Sequence, residues 1–146
     1  MIKDNQKYFN RMHVIIDAIV VVVSYFLAWV ARYVWPFAED VVRAVPFEWY
    51  MQLLPVIVPV YLVLYYAFNL YTPKRVQGRR LEFSNVIKAN TVGILLMICF
   101  ISILLKENNF SRRMFFYFYI CNMILDETVR ICIRRMLREI RKKGLN

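Results

Sequence analysis

The sequence predicts an all-α, polytopic membrane protein: four transmembrane helices in a bundle, the last extending into the cytoplasm as a basic amphipathic helix. Three observations predict it. Residues 14–35, 49–70 and 86–105 are apolar runs of 20 or 22 residues, long enough to cross a bilayer and longer than a signal-peptide core. Residues 110–146 begin aromatic and aliphatic, end cationic, and contain no Pro or Gly before Gly144. The composition, 60% hydrophobic and 16% aromatic with a mean hydropathy of +0.44, lies outside the range of ordinary soluble domains. In lipid only helices and closed barrels satisfy their backbone polar groups, and helices are the economical solution for runs of this length.

Helix 1 is expected at about residues 12–35. It follows a polar segment carrying Lys3, Lys7 and Arg11, and it holds Asp17 one turn inside the run. No small-residue cleavage site follows it, so the segment is read as retained. The next loop carries Glu39, Asp40 and Glu48 against Arg43. Helix 2, at about 47–71, contains Pro55 and Pro59, which should bend it or loosen its hydrogen-bond ladder in the first half. A strongly basic loop with Lys74, Arg75, Arg79 and Arg80 leads to helix 3 at about 84–106, which carries Lys88 and Asn90 in its first turns. Helix 4, at 111–143, has Ser111 as an N-cap candidate and Gly144 where a left-handed C-cap belongs. At 1.5 Å per residue it would be about 50 Å long, more than the roughly 30 Å hydrocarbon core.

The net charge of +10 could suggest nucleic acid, but its placement points to anionic lipid. Three Lys and Arg precede helix 1, four lie in the second loop and seven follow from Arg130 onward. The opposite side has Arg32, Arg43, Lys106, Arg112 and Arg113. The bias places both termini in the cytoplasm, with Trp29, Trp35 and Trp49 as an outer aromatic belt. Nothing divides the chain into two domains: residues 1–146 read as a single membrane domain. Cys99, Cys121 and Cys132 sit in apolar segments as packing or lipid-facing residues, and neither they nor the single His13 suggest a metal site.

Depth along the helices groups Asp17, Lys88, Asn90, Asn122, Asp126 and Arg130 in one layer of the inner leaflet. Intramembrane charges are costly and usually pair inside a bundle, so Asp17 is expected to meet Lys88 or Arg130. The layer reads as an interhelical clamp, as a lipid-phosphate or proton site, or as residues snorkelling to the interface. Asp126 and Glu127 point about 100° apart on a helix, so they do not converge as a catalytic dyad, and Arg130 stands ready to neutralise one of them. In the tail, Arg130, Arg134 and Arg138 form one row, while Ile133, Leu137 and Ile140 mark another. Such a helix would lie on anionic lipid or dock a following domain. With glycines only at 78, 93 and 144, there is no phosphate-binding glycine motif, and no Ser/His/acid set or Cys/His cluster occurs. These residues offer no catalytic centre and no cofactor site of their own.

Four helices, Asp17 in the first, Leu70-Tyr71-Thr72-Pro73-Lys74-Arg75 after the second, Phe110-Ser111-Arg112 opening the fourth and a tail ending Arg141-Lys142-Lys143-Gly144-Leu145-Asn146 occur together. This pattern resembles the N-terminal membrane region of the polytopic polyprenyl-phosphate sugar-1-phosphate transferases, which begin bacterial capsule, exopolysaccharide and O-antigen synthesis. The resemblance covers essentially the whole chain. It implies a non-catalytic anchoring and oligomerising domain in the bacterial cytoplasmic membrane. It also implies a Rossmann-like domain and a magnesium-dependent catalytic domain to follow, none of whose motifs occurs in these residues. A similar head occurs on membrane-bound sugar-nucleotide dehydratases and epimerases, which leaves the attached chemistry open. Polyprenyl phosphate is a compatible partner for Lys74, Arg75, Arg79 and Arg80. From another class, a small four-helix transporter would use Asp17 as its proton-coupled acid. Against that, Asp17 lies near the membrane edge and the chain is poor in the small residues that let helices pack closely.

Overall fold

The computed structural model describes residues 2–34, 46–71, 78–104 and 110–142. Every element among them is a helix: α1 (Ile2–Tyr33), α2 (Phe47–Gln52), α3 (Leu54–Ala67), α4 (Arg79–Leu104) and α5 (Arg112–Lys142). Helix 1 starts twelve residues before the apolar run, because no Pro or Gly between Ile2 and Tyr33 stops it. Helix 4 of the expectation corresponds to α5 almost residue for residue.

The expected helix 2 is two helices, and proline chemistry explains the break. Pro55 has no N–H to return to Met51, and its ring would clash with that carbonyl. The helix therefore stops at Gln52 and restarts after Leu53, which places Pro55 in the first turn of α3, where a missing N–H costs little. Leu53 keeps the two pieces nearly continuous, with its N–H donating to the Tyr50 carbonyl at 3.2 Å. Pro59 remains inside α3.

α3 ends at Ala67, four residues before the expected boundary, in a two-bond cap. Asn69 adopts a φ of 57°, a left-handed conformation that asparagine tolerates better than most residues. The Leu70 N–H donates to the Tyr65 carbonyl at 2.9 Å, and the Asn69 N–H donates to the Tyr66 carbonyl at 3.0 Å. Those bonds form a Schellman motif, and buried Leu70 against buried Tyr65 supplies its customary apolar contact. The same turn directs Tyr71 back toward the helices.

α1 packs on α3 and α5, and α4 packs on the same two, so the four long segments close around one core. Aromatic rings fill it. Phe118 of α5 meets Tyr25 and Tyr61 edge-on, at centroid distances of 5.5 and 5.4 Å, the geometry that ring quadrupoles favour. Outward faces are also apolar: Ile15 and Ile19 of α1, Val63 of α3, and Leu95 and Ile103 of α4 are all exposed. Contiguous exposed apolar surface of this kind needs an apolar partner.

Among the described residues, three helical stretches are long and apolar enough to cross a membrane: Arg11–Tyr33, Phe47–Ala67 (α2 with α3) and Arg79–Ile103. α5 is a different kind of helix. Its apolar block lies between Arg113 and Asp126, and charges recur from there on.

Where α5 begins, Tyr50 is the common partner. Its hydroxyl lies 2.8 Å from that of Tyr33 and accepts the Ser111 N–H at 3.0 Å, while its carbonyl accepts the Tyr25 hydroxyl at 3.1 Å. Ser111 stands just before α5, and its hydroxyl oxygen accepts from Arg32 Nε at 3.2 Å. These bonds join α1, α2 and α5 at that end of the bundle.

Gly93 of α4 lies directly against Tyr61 of α3. A Cβ there would lie 2.7 Å from Tyr61 Cζ and 3.0 Å from Cε1 and Oη. Tyr61 is fully buried, so its ring has nowhere to swing. Gly93→Ala is expected to destabilise the fold by roughly 1–3 kcal/mol, read as a lower midpoint of thermal unfolding in detergent. Adding Tyr61→Leu should recover part of that loss, because the two sites share one contact. Additive losses would show that the clash is not the cause.

Candidate functional site

On α5, Asn122, Asp126, Arg130, Arg134 and Arg138 recur every fourth residue, a spacing that stacks side chains along one helix face. Asn122, Asp126 and Arg130 on that row are buried, within the bundle's inner half. What meets them forms two layers, about one helical turn apart.

The deeper layer is a closed hydrogen-bond ring joining α3, α4 and α5. The Tyr65 hydroxyl donates to Asp126 Oδ2. Asn90 Nδ2 donates to the same oxygen at 3.2 Å and to the Val86 carbonyl at 3.1 Å, which uses both amide hydrogens. Asn122 Nδ2 donates to Asn90 Oδ1 at 2.6 Å and to the Tyr65 oxygen at 2.8 Å. Its third acceptor, Asp126 Oδ2 at 3.4 Å, is the distant one. Tyr65 thus gives to the carboxylate and receives from the amide, so each member fixes the orientation of the next.

The shallower layer is ionic. Arg130 Nη2 lies 3.0 Å from Asp17 Oδ2 on α1, and Nη1 lies 3.6 Å from Glu82 Oε1 on α4. Arg134 also pairs with Glu82. The Arg130 guanidinium stands 5.9 Å from the centroid of the Tyr65 ring, which ties this layer to the first. Tyr71, presented by the turn after α3, has its pKa raised by burial and by the charge of Asp17, so its hydroxyl stays protonated. Arg134 has its pKa lowered by burial and by Arg79 and Arg138, which places three guanidinium groups near one another.

The structure brings together Asp17, Asn90, Asn122, Asp126 and Arg130 of the residues singled out from sequence. Of the two partners expected for Asp17, it selects Arg130. Lys88 is exposed on α4 and takes no part in either layer. Arg79 and Arg80 are exposed in the first turn of α4; Lys74 and Arg75 lie outside the described residues. Arg130 pairs with Asp17 and Glu82 of the other helices, and its charge also acts on Asp126 and Glu127 of its own helix, as the i+4 and i+3 spacings suggested. Sequence reasoning missed Glu82, Tyr65 and Tyr71. Glu82 reads as an acid favoured at a helix start, and the two tyrosines read as membrane-belt residues. The usable signal for Glu82 was its spacing of eight from Asn90, two turns along the same face of α4.

Asp126 Oδ2 is filled by donors, and Asp17 and Glu82 face guanidinium groups. Among the described residues no group of three or more His, Cys, Asp or Glu is arranged to hold a metal ion. The arrangement can lock helix rotation and depth; it presents no activated nucleophile.

A family profile described as a CoA-binding domain matches residues 66–146. The chain belongs to the CoA-binding domain family. The segment shared with that family runs from the last turn of α3 through α4 and α5, and so contains Tyr71, Glu82, Asn90 and the whole α5 row. Asp17 and Tyr65, contributed by α1 and α3, lie before it. Neither the curated proteins nor the solved structures compared with the chain give a match.

Removing Arg130 should take away the guanidinium that Asp17 faces, while Glu82 keeps Arg134. Arg130→Met is expected to destabilise the fold by roughly 3–5 kcal/mol, the range for breaking a buried ion pair. The double change Asp17→Asn, Arg130→Met should cost less than Arg130→Met alone, since it removes the buried carboxylate with its cation and leaves the Glu82–Arg134 pair in place. Unfolding midpoints in detergent check the order; a double variant weaker than the single one would refute the ionic account.

Proposed function

We propose that this chain is the non-catalytic, four-helix membrane domain that anchors a polyprenyl-phosphate sugar-1-phosphate transferase of bacterial polysaccharide synthesis. It sits in the cytoplasmic membrane with both termini inside. α5 makes the fourth crossing, emerging at about Arg130 and continuing as a cationic helix along the inner surface. Lys88, on the outer face of α4, extends its ammonium to the headgroup level.

The observation that carries this reading is the two-layer polar contact among all four long segments. Intramembrane acids that serve transport or proton transfer line a water-filled path or stand ready to exchange partners. Here Asp17 meets Arg130, and Asp126 receives Tyr65 and Asn90, which is the pattern of a clamp. The matching domain family, found in enzymes related to these transferases and in nucleotide-sugar enzymes, supports the same class. A membrane head on a sugar-nucleotide dehydratase or epimerase would need the same anchor, and the described residues do not favour one attached chemistry over the other.

The family's description names coenzyme A, but the chain lacks the glycine-rich loop that commonly holds a diphosphate. Its three glycines are far apart, and Gly93 is packed beneath Tyr61, so no glycine-rich loop can cradle a diphosphate.

Two measurements test the proposal together. The purified chain in vesicles containing polyprenyl phosphate should transfer no radiolabelled sugar phosphate from any nucleotide sugar. Epitope tags at both ends should resist protease added outside spheroplasts and be lost once the membrane is permeabilised. Transfer by the chain alone would overturn its non-catalytic role, and digestion from outside would overturn its orientation.

A further inference from the structure

Past the ionic layer, the start of α4 and the end of α5 border a groove of about 470 Å³, a volume within the range of small-molecule sites. Its lining holds five arginines against two glutamates. Two of those arginines are committed: Arg130 to Asp17 and Glu82, and Arg134 to Glu82. Arg79, Arg135 and Arg138 line the same space and are exposed. Like charges held this close repel one another, and Arg134 registers that repulsion from both Arg79 and Arg138. The arrangement is costly unless an anion occupies the groove.

The guanidinium fork matches the oxygens of a phosphate group, and several forks converging from two helices favour a multiply charged one. The groove also has an apolar shoulder. Phe83 of α4 and Ile131 of α5 line it while remaining 49% and 47% exposed. Glu127 lines the deeper part, and its charge keeps an anion toward the Arg135 and Arg138 end.

We propose that this groove binds the phosphomonoester or diphosphate head of an anionic amphiphile, held by Arg79, Arg135 and Arg138, with Phe83 and Ile131 against its apolar stem. The site deepens the membrane-anchor reading and rests on it for location at the inner surface. The same oxygen chemistry occurs in soluble phosphates, and the test separates the two sources.

The full chain is placed in phosphatidylcholine nanodiscs containing phosphatidic acid or, at equal mole fraction, phosphatidylserine, and retained lipid is read by native mass spectrometry. Phosphatidic acid should be retained in preference. Arg135→Gln with Arg138→Gln should weaken that retention roughly 25-fold, at about fivefold for each cation near the surface. Arg112→Gln with Arg113→Gln, the same charge loss at the other end of α5, should leave it unchanged. Inorganic pyrophosphate is then added to detergent-solubilised protein carrying phosphatidic acid. Displacement assigns the site to the phosphate group itself, and retention assigns it to the whole amphiphile; both outcomes support the clamp. Equal retention of phosphatidylserine, or equal loss in the two double variants, would reduce the groove to net charge and overturn the proposal. If either occurs while both termini remain inside, the groove fails and the anchor reading stands.

Discussion

A single guanidinium constrains the whole inner half of this molecule. Arg130 is 2% exposed, and the acids that pair with its guanidinium come from other helices, Asp17 from α1 and Glu82 from α4. A charge in a low-dielectric interior is tolerable only with its counter-charges in place, so the register and rotation of three helices follow from one side chain. Hydrophobic packing cannot impose this in lipid, where an apolar side chain gains little by facing a helix rather than an acyl chain. The polar layers define which face of each helix points inward; the aromatic core then fills the space they enclose.

The two ends of the bundle solve the same problem with different chemistry. Where α5 begins, tyrosine hydroxyls and a serine join α1, α2 and α5 through neutral hydrogen bonds. At the opposite end the joints are carboxylates, amides and guanidinium groups. Neutral bonds have directional preference but cost little to break, whereas an uncompensated buried charge costs several times more. The charged end is therefore the costlier one to open.

How much of this was legible in the sequence depended on whether period or partner choice decided the outcome. Helix type followed from apolar run length, and α5 from the absence of Pro and Gly, because both are local properties. The break at Leu53 was half-visible: Pro55 announced a disturbance, but only the restart of α3 showed it to be a new first turn. Asn69 was overlooked as a stop signal because apolar Leu70 and Tyr71 continue past it. Depth along each helix grouped Asp17, Asn90, Asn122, Asp126 and Arg130, since residues at similar depth on antiparallel helices must share a layer. Depth does not give rotation, which is why Lys88 was grouped with them and why Glu82, Tyr65 and Tyr71 were not. Lys88 is two residues from Asn90, hence about 200° around α4, and faces away from the layer that Asn90 joins.

The row on α5 changes meaning along the helix. Asn122 and Asp126 lie where a hydrogen bond must be satisfied within the protein, and both belong to the closed ring. Arg130 lies one turn on, where a charge survives only by pairing. Arg134 is half in each world, with Glu82 on one side and the neighbouring arginines on the other. Arg138, one turn further along the same row, is exposed. A periodicity of four residues therefore carries one helix face from a closed hydrogen-bond ring, through an ionic layer, to exposed cations, and the burial of each position decides whether its partner must come from another helix of the bundle.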